Sequence, residues 1–119
     1  KRLNDSYGHA TGDVVLREVA GAIVATIRTD DTPARFGGEE FVVLLRRAGT
    51  DIAVEVAERI RAAVAELHLD EHGVAERVTV SVGAAVADAR GLTVSDLVER
   101  ADAALYAAKR RGRDQVVVG

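Results

Sequence analysis

Three stretches of this 119-residue chain carry apolar residues at helical spacing, and every interval between them reads as extended. In the first, Leu16, Val19, Ala20, Ile23, Val24 and Ile27 fall at offsets that build one apolar stripe on a helix. Ile52, Val56, Ile60, Val64 and Leu67 do the same in the second, with Glu55, Glu58, Arg59 and Arg61 mostly elsewhere on the wheel. The third runs from about Val94 to Arg110, with Leu97, Ala101, Leu105 and Ala108 as its inward side. Thr93 and Asp96 predict a capping box at its start, and Lys109, Arg110 and Arg111 before Gly112 predict a basic last turn closed by a glycine cap. Between the first two helices, Ala34–Phe36 and Glu39–Leu45 flank Gly37-Gly38, which predicts a β-hairpin with a two-residue turn. Arg77–Val86 is rich in β-branched residues and predicts a strand, with Gly83 marking a bulge or a close backbone approach. Gln115–Val118 predicts a short last strand. A chain of this size holds one core, so residues 1–119 are expected to form a single domain of α/β (α+β sandwich) class, helices packed on the faces of a sheet.

Composition then removes several kinds of function. Sixteen Lys and Arg against nineteen Asp and Glu leave a net charge of −3, the wrong sign for a module that neutralises many nucleic-acid phosphates. Two Tyr, two Phe and no Trp offer little platform for stacking single-stranded bases. The absence of Cys excludes disulfides, thiolate zinc sites and cysteine nucleophiles from this chain. No apolar run approaches the roughly 20 residues a membrane helix needs, and nothing at the start reads as a secretory leader. The expectation is a cytoplasmic domain with no nucleic-acid partner and no membrane contact from this segment.

Three clusters of residues have chemistry to offer, each beside a plainer explanation. In Gly37-Gly38-Glu39-Glu40, two glycines clear space at a turn for a bulky anion and two carboxylates follow. Carboxylates are hard ligands suited to Mg²⁺, which one or two of them commonly hold together with substrate phosphates. Strand alternation sets Glu39 and Glu40 on opposite faces, so Glu39, nearer the tip, is the better ligand; solvated acids beside a turn are the plainer reading. Asn4, Asp5, Gly8, His9, Gly12 and Asp13 form the second cluster. An amide and a carboxylate can take a guanine edge, but the same residues suit turns and caps. The third is Lys109 with Arg113, two cations able to hold a triphosphate or simply to balance a helix dipole.

In combination, the clusters resemble one family. Asn4-Asp5, Gly8-His9 and Gly12-Asp13, then Arg35-Phe36-Gly37-Gly38-Glu39-Glu40-Phe41, Val78–Gly83, Ala101–Lys109 and Gly112-Arg113 follow the order and spacing of the GGDEF diguanylate cyclases over essentially the whole chain. That resemblance implies a nucleotidyl-cyclase or palm-like fold with a mainly antiparallel central sheet. It implies condensation of two GTP into cyclic di-GMP and two pyrophosphates with Mg²⁺ or Mn²⁺, across a homodimer in which each domain holds one GTP. Glu39 matches the metal ligand and proton acceptor, and Glu40 a second acid at the metal. Asn4 and Asp13 match guanine-binding positions and His9 a further substrate position. Lys1, Lys109 and Arg113 match phosphate contacts, and Gly37 and Gly38 let the triphosphate lie against the turn.

The same resemblance implies a product-inhibition site. Arg28 and Asp31 are spaced as an RxxD pair, and Arg59 matches an arginine that completes such a site from a neighbouring domain. Read as bare residues, Arg28 and Asp31 are ordinary surface charges. Two departures stand out. The chain opens on polar Lys1–Asp5, so the family's first strand and its metal-binding aspartate are expected to be missing and the fragment to be unstable or inactive alone. Asp114 occupies a position where the family usually has asparagine. A catalytically silent domain that binds cyclic di-GMP or GTP is the competing reading, and a different nucleotidyl cyclase or polymerase-palm relative a third.

Overall fold

Helical spacing becomes packing along α1 (His9–Thr26), where Val15, Val19 and Ile23 are buried against Val56, Ile60 and Val64 of α2 (Thr50–Ala65). The computed structural model describes residues 9–36, 39–74, 77–87 and 92–119. After α1 come β1 (Thr32–Arg35) and β2 (Phe41–Leu44), then α2, a 3-10 turn at Asp70–His72, β3 (Val82–Ala84), α3 (Val94–Arg110) and β4 (Val116–Val118). The order of helices and strands is the expected one, and the chain is an α+β domain.

On α1 the buried stripe keeps Val19 and Ile23 of the expected set and adds Val15, while Leu16, Ala20 and Val24 lie beside it. Val15, Val19 and Ile23 face the core, while Val24 is 57% exposed. Each step along a helix turns the side chain by about 100°, so Leu16, Ala20 and Val24 form a second apolar stripe beside the first. In α2 the core begins at Ala53, and Ile52 in the first turn stays largely exposed. Leu69 and Val74 close the core below α2, and Phe41, Val43, Leu45, Val78 and Val80 pack against it.

β1 and β2 pair antiparallel from Thr32↔Leu44 to Arg35↔Phe41. The same register continues to Phe36, whose N–H donates to the Glu40 carbonyl at 2.8 Å. Residues 37–39 therefore separate the last paired positions, where the sequence predicted a turn of two. This shift matters because side chains alternate with period two, so a one-residue slip exchanges the faces. It also places Pro33 opposite Val43, between the hydrogen-bonded pairs, where its missing N–H costs no ladder bond.

β3 and β4 run parallel from Val82↔Val116 to Ala84↔Val118, joined by the α3 crossover. This ladder is shorter than the expected Arg77–Val86 strand, since β4 supplies three partners. Val78 and Val80 nonetheless bury apolar surface against the core. Gly83 marks a close approach: a methyl group there would overlap the Ala101 carbonyl oxygen and the Leu105 amide nitrogen and lie 2.8 Å from Leu105 Cα.

The caps of α3 form as the sequence dictates. Asp96 N–H donates to Thr93 Oγ1 and Thr93 N–H to an Asp96 carboxylate oxygen, each at 3.1 Å, completing the capping box. At the other end Gly112 adopts φ 114°, and Arg113 N–H reaches back to the Ala108 carbonyl at 3.0 Å. The left-handed glycine is what lets the chain reverse there and satisfy an otherwise orphaned helix carbonyl.

Candidate active site

The second apolar stripe of α1 has a purpose in the fold: it walls a groove against the hairpin. Leu16, Ala20 and Val24 face Pro33, Ala34 and Phe41 across a cavity of about 440 Å³, with Asp13, Arg17 and Arg35 also lining it. That volume suits one nucleoside-sized ligand, and an apolar lining with a few charged groups is the usual make-up of a small-molecule site. Asp13 is exposed, one turn beyond the start of α1 rather than in its first turn. Arg35 and Phe41, the last ladder pair before the turn, bring the base of the Glu39 loop to the same groove.

Glu39 lies inside the turn and Glu40 pairs with Phe36 at its close; both are exposed. Because Glu39 is in the turn, the alternation argument that set the two acids on opposite faces applies only to Glu40. Glu40 shares the outer face with Val42 and Leu44, while Phe41 packs inward. Among the described residues no group of three or more His, Cys, Asp or Glu is arranged to hold a metal ion. Glu39 and Glu40 themselves line no part of the groove; as exposed hard carboxylates they fit Mg²⁺, whose remaining ligands are commonly phosphates and water.

Other sequence-predicted residues lie elsewhere. Lys109, in the last turn of α3, and Arg113, in the loop after it, are exposed and line no part of the groove. Lys1, Asn4, Gly37 and Gly38 fall outside the described residues, and His9 is described only as the first backbone position of α1. Sequence reasoning passed over Arg17 as a groove residue, although it stands four residues after Asp13 and so shares its helix face.

Arg28 and Asp31 are not the ordinary surface charges their bare sequence suggests. The Asp31 side chain is fully buried. Arg28 grips it with both arms of its guanidinium, Nε to Oδ2 at 3.2 Å and Nη2 to Oδ1 at 3.1 Å, and adds its backbone N–H at 2.9 Å. Arg46 N–H donates to Oδ1 at 3.4 Å, and Arg28 Nη2 also donates to the Arg46 carbonyl at 2.7 Å. The end of α1, the start of β1 and the segment after β2 are thus tied at one carboxylate. Arg59, on α2, donates to the Thr26 carbonyl at the end of α1 at 3.2 Å, which sets it beside the segment that carries Arg28.

The Arg28 hydrogen bonds hold the Asp31 carboxyl below its ordinary value of 3.8, and the same bond raises the Arg28 guanidinium. A carboxylate with a depressed folded value stabilises the fold above its unfolded value and ceases to do so as pH falls through the folded one. We expect thermal melts of the parent to hold steady above about pH 5 and to weaken on acidification below the ordinary carboxylate range. Asp31→Asn should start less stable at neutral pH and lose less between pH 5 and 3. Parallel profiles for the two proteins would deny Asp31 this role.

These features can be compared with known proteins. The family described as "Diguanylate cyclase, GGDEF domain" matches residues 1–115. The chain belongs to the GGDEF domain family. Diguanylate cyclase A of Treponema denticola is 45% identical over 118 residues, covering 99% of this chain and 32% of that protein. The probable diguanylate cyclase DgcT of Escherichia coli is 45% identical over 120 residues, covering 99% of this chain and 26% of its own length. The domain thus spans about a third or less of these curated relatives.

Solved structures give the same answer for the fold. The active GGEEF domain of a diguanylate cyclase from Vibrio cholerae superposes with a TM-score of 0.87 at 32% identity, over 98% of this chain and 73% of that one. The GGDEF domain of DgcB from Caulobacter crescentus, in complex with c-di-GMP, gives 0.88 at 39% identity, over 97% and 68%. No helix among the described residues of this GGDEF domain is long and apolar enough to cross a membrane.

Proposed function

We propose that this GGDEF domain is the catalytic domain of a diguanylate cyclase, binding one GTP in the α1–hairpin groove and joining it to a second GTP held by a partner copy. The observation that carries this reading is the meeting of Asp13 with the base of the Glu39 turn at one groove. Asp13, with Asn4, takes the guanine edge; Leu16, Ala20 and Phe41 receive the apolar face of the base. The 3′-oxygen of one GTP forms a bond to the α-phosphorus of the other, the bond from that phosphorus to the pyrophosphate oxygen breaks, and the hydroxyl proton passes to the Glu39 carboxylate. Repeating the step in the opposite sense closes the ring and releases the second pyrophosphate.

Glu39 and Glu40 would hold Mg²⁺ or Mn²⁺, which when bound neutralises charge on the triphosphate. Lys1, Lys109 and Arg113 hold the phosphates, and His9, Gly37 and Gly38 line their path. Phosphoryl transfer asks for in-line positioning and charge stabilisation more than for covalent help, so such a residue set suffices. Because each domain offers one nucleotide site, turnover requires a homodimer.

The test is to incubate the full-length protein with GTP and Mg²⁺ and separate the products by chromatography. Cyclic di-GMP with two pyrophosphates per molecule is the expected outcome. Tight nucleotide binding without product would favour the silent binding module instead.

Product inhibition is assigned to Arg28, Asp31 and Arg59. The supporting observation is that Arg28 keeps 45% of its side chain exposed while Asp31 fixes its orientation. Arg28→Lys, which leaves the buried Asp31 carboxylate a cationic partner, is expected to lose at least tenfold in cyclic di-GMP affinity by calorimetry while retaining GTP turnover, because an ammonium cannot reproduce the planar guanidinium contacts. Unchanged affinity would remove Arg28 from the site.

A further inference from the structure

The loop after α3 contains a conformation that needs outside support. Arg113 and Asp114 both adopt left-handed backbone, at φ 65° and 47°, directly after Gly112. For side-chain-bearing residues this region is unfavourable, and neighbouring structure has to hold it. Gln115 contributes by donating from Nε2 to the carbonyls of Arg111 and Arg113 at 3.1 and 3.2 Å. The other support comes from α2, 53 residues away in sequence: Arg61 Nη1 donates to Asp114 Oδ1 at 2.9 Å, while its Nε holds Glu58 Oε2 at 3.0 Å.

We infer that Arg61 is a positioning residue for nucleotide binding, neutralising Asp114 so that the adjoining Arg113 and nearby Lys109 remain available to phosphate. This rests on the proposed role of Lys109 and Arg113. Asp114 is a carboxylate next in sequence to a phosphate-binding arginine and five residues after a phosphate-binding lysine. Without Arg61 it would recruit one of those cations and repel the triphosphate. Arg61 is three-quarters buried at its side chain and oriented by Glu58, so it meets Asp114 from a fixed direction. Its charge is further secured by that contact, which with Glu58 raises the guanidinium above its ordinary value.

The test is calorimetric titration of the full-length protein with a non-hydrolysable GTP analogue and Mg²⁺. Arg61→Met should weaken binding about tenfold, the scale of losing one cation's service to the phosphates at partial screening. Arg61→Met combined with Asp114→Asn should recover affinity to within about threefold of the parent, because the stranded carboxylate is gone. Titrations repeated at low and high salt separate a merely structural Arg61, because only a charge effect on the phosphates shrinks with screening. Circular dichroism establishes which variants are folded, and if Arg61→Met is not, Arg61→Gln against the charge-keeping Arg61→Lys makes the same comparison. Equal affinity for Arg61→Met and parent, or no recovery in the double variant, overturns the inference. Failure of the parent itself to bind the analogue overturns the functional reading and this inference with it.

Discussion

Glu39→Gln should reduce cyclic di-GMP formation by about 100- to 1,000-fold, the loss typical of removing one group that stabilises or relays charge in the transition state. The substitution keeps the shape of the side chain and removes only its charge and basicity. Glu39 is exposed in a turn and takes no part in the buried core. Circular dichroism and the melting temperature should match the parent, which separates a chemical loss from a structural one. Glu40→Gln should cost less, because Glu40 sits on the hairpin's outer face beside Val42 and Leu44. Measured by chromatography of GTP reactions at saturating substrate, equal turnover by Glu39→Gln and parent would remove Glu39 from the chemistry.

Gly83→Ala should be the most damaging small substitution for stability. The added methyl would run into the backbone of α3 at Ala101 and Leu105, and backbone cannot swing aside as a flexible side chain can. Either α3 shifts outward, surrendering its packing on β3, or β3 leaves its register with β4. Overpacking commonly costs 1–3 kcal/mol and more where the obstacle is rigid, so about 3 kcal/mol or more is expected here. For a domain of this size that is a drop in melting temperature on the order of 10 °C. A drop below about 2 °C in a calorimetric scan would mean that the strand and helix are not held in this close contact.

What the sequence revealed, and what it hid, divides by range. The Thr93–Asp96 capping box and the Gly112 cap were legible because both partners lie within a few residues of one another. The hairpin was legible as a hairpin, but its register was not. A two-residue turn at Gly37-Gly38 and a three-residue turn at 37–39 differ by one step, and the pairing of Phe36 with Glu40 decides between them. On α1, periodicity found two apolar stripes and merged them. Only the neighbours α2 and β1 make Val15, Val19 and Ile23 the core stripe and Leu16, Ala20 and Val24 the groove wall.

The charged contacts were the least legible. Asp31 reads as a loop aspartate until the backbone of Arg46, 15 residues on, is folded against it. Arg61 reads as one more exposed helix charge until the loop after α3 delivers Asp114 to it. Nothing local in either segment encodes these meetings; they follow from the packing of whole elements. The functional residues are legible for a different reason: motif order carries them, while their geometry depends on how α1 meets the hairpin.

The proposed catalysis requires Asp13 and the Glu39 turn to serve one and the same nucleotide. Amide signals of the isotopically labelled protein, recorded while Mn²⁺ is titrated against bound GTP, test that directly, because the paramagnetic ion broadens only nearby resonances. Broadening concentrated at Glu39, Glu40 and Phe41, accompanied by GTP-induced shifts at Asp13, Leu16 and Arg17, is the predicted pattern. Broadening centred elsewhere, or GTP shifts that bypass α1, would contradict it.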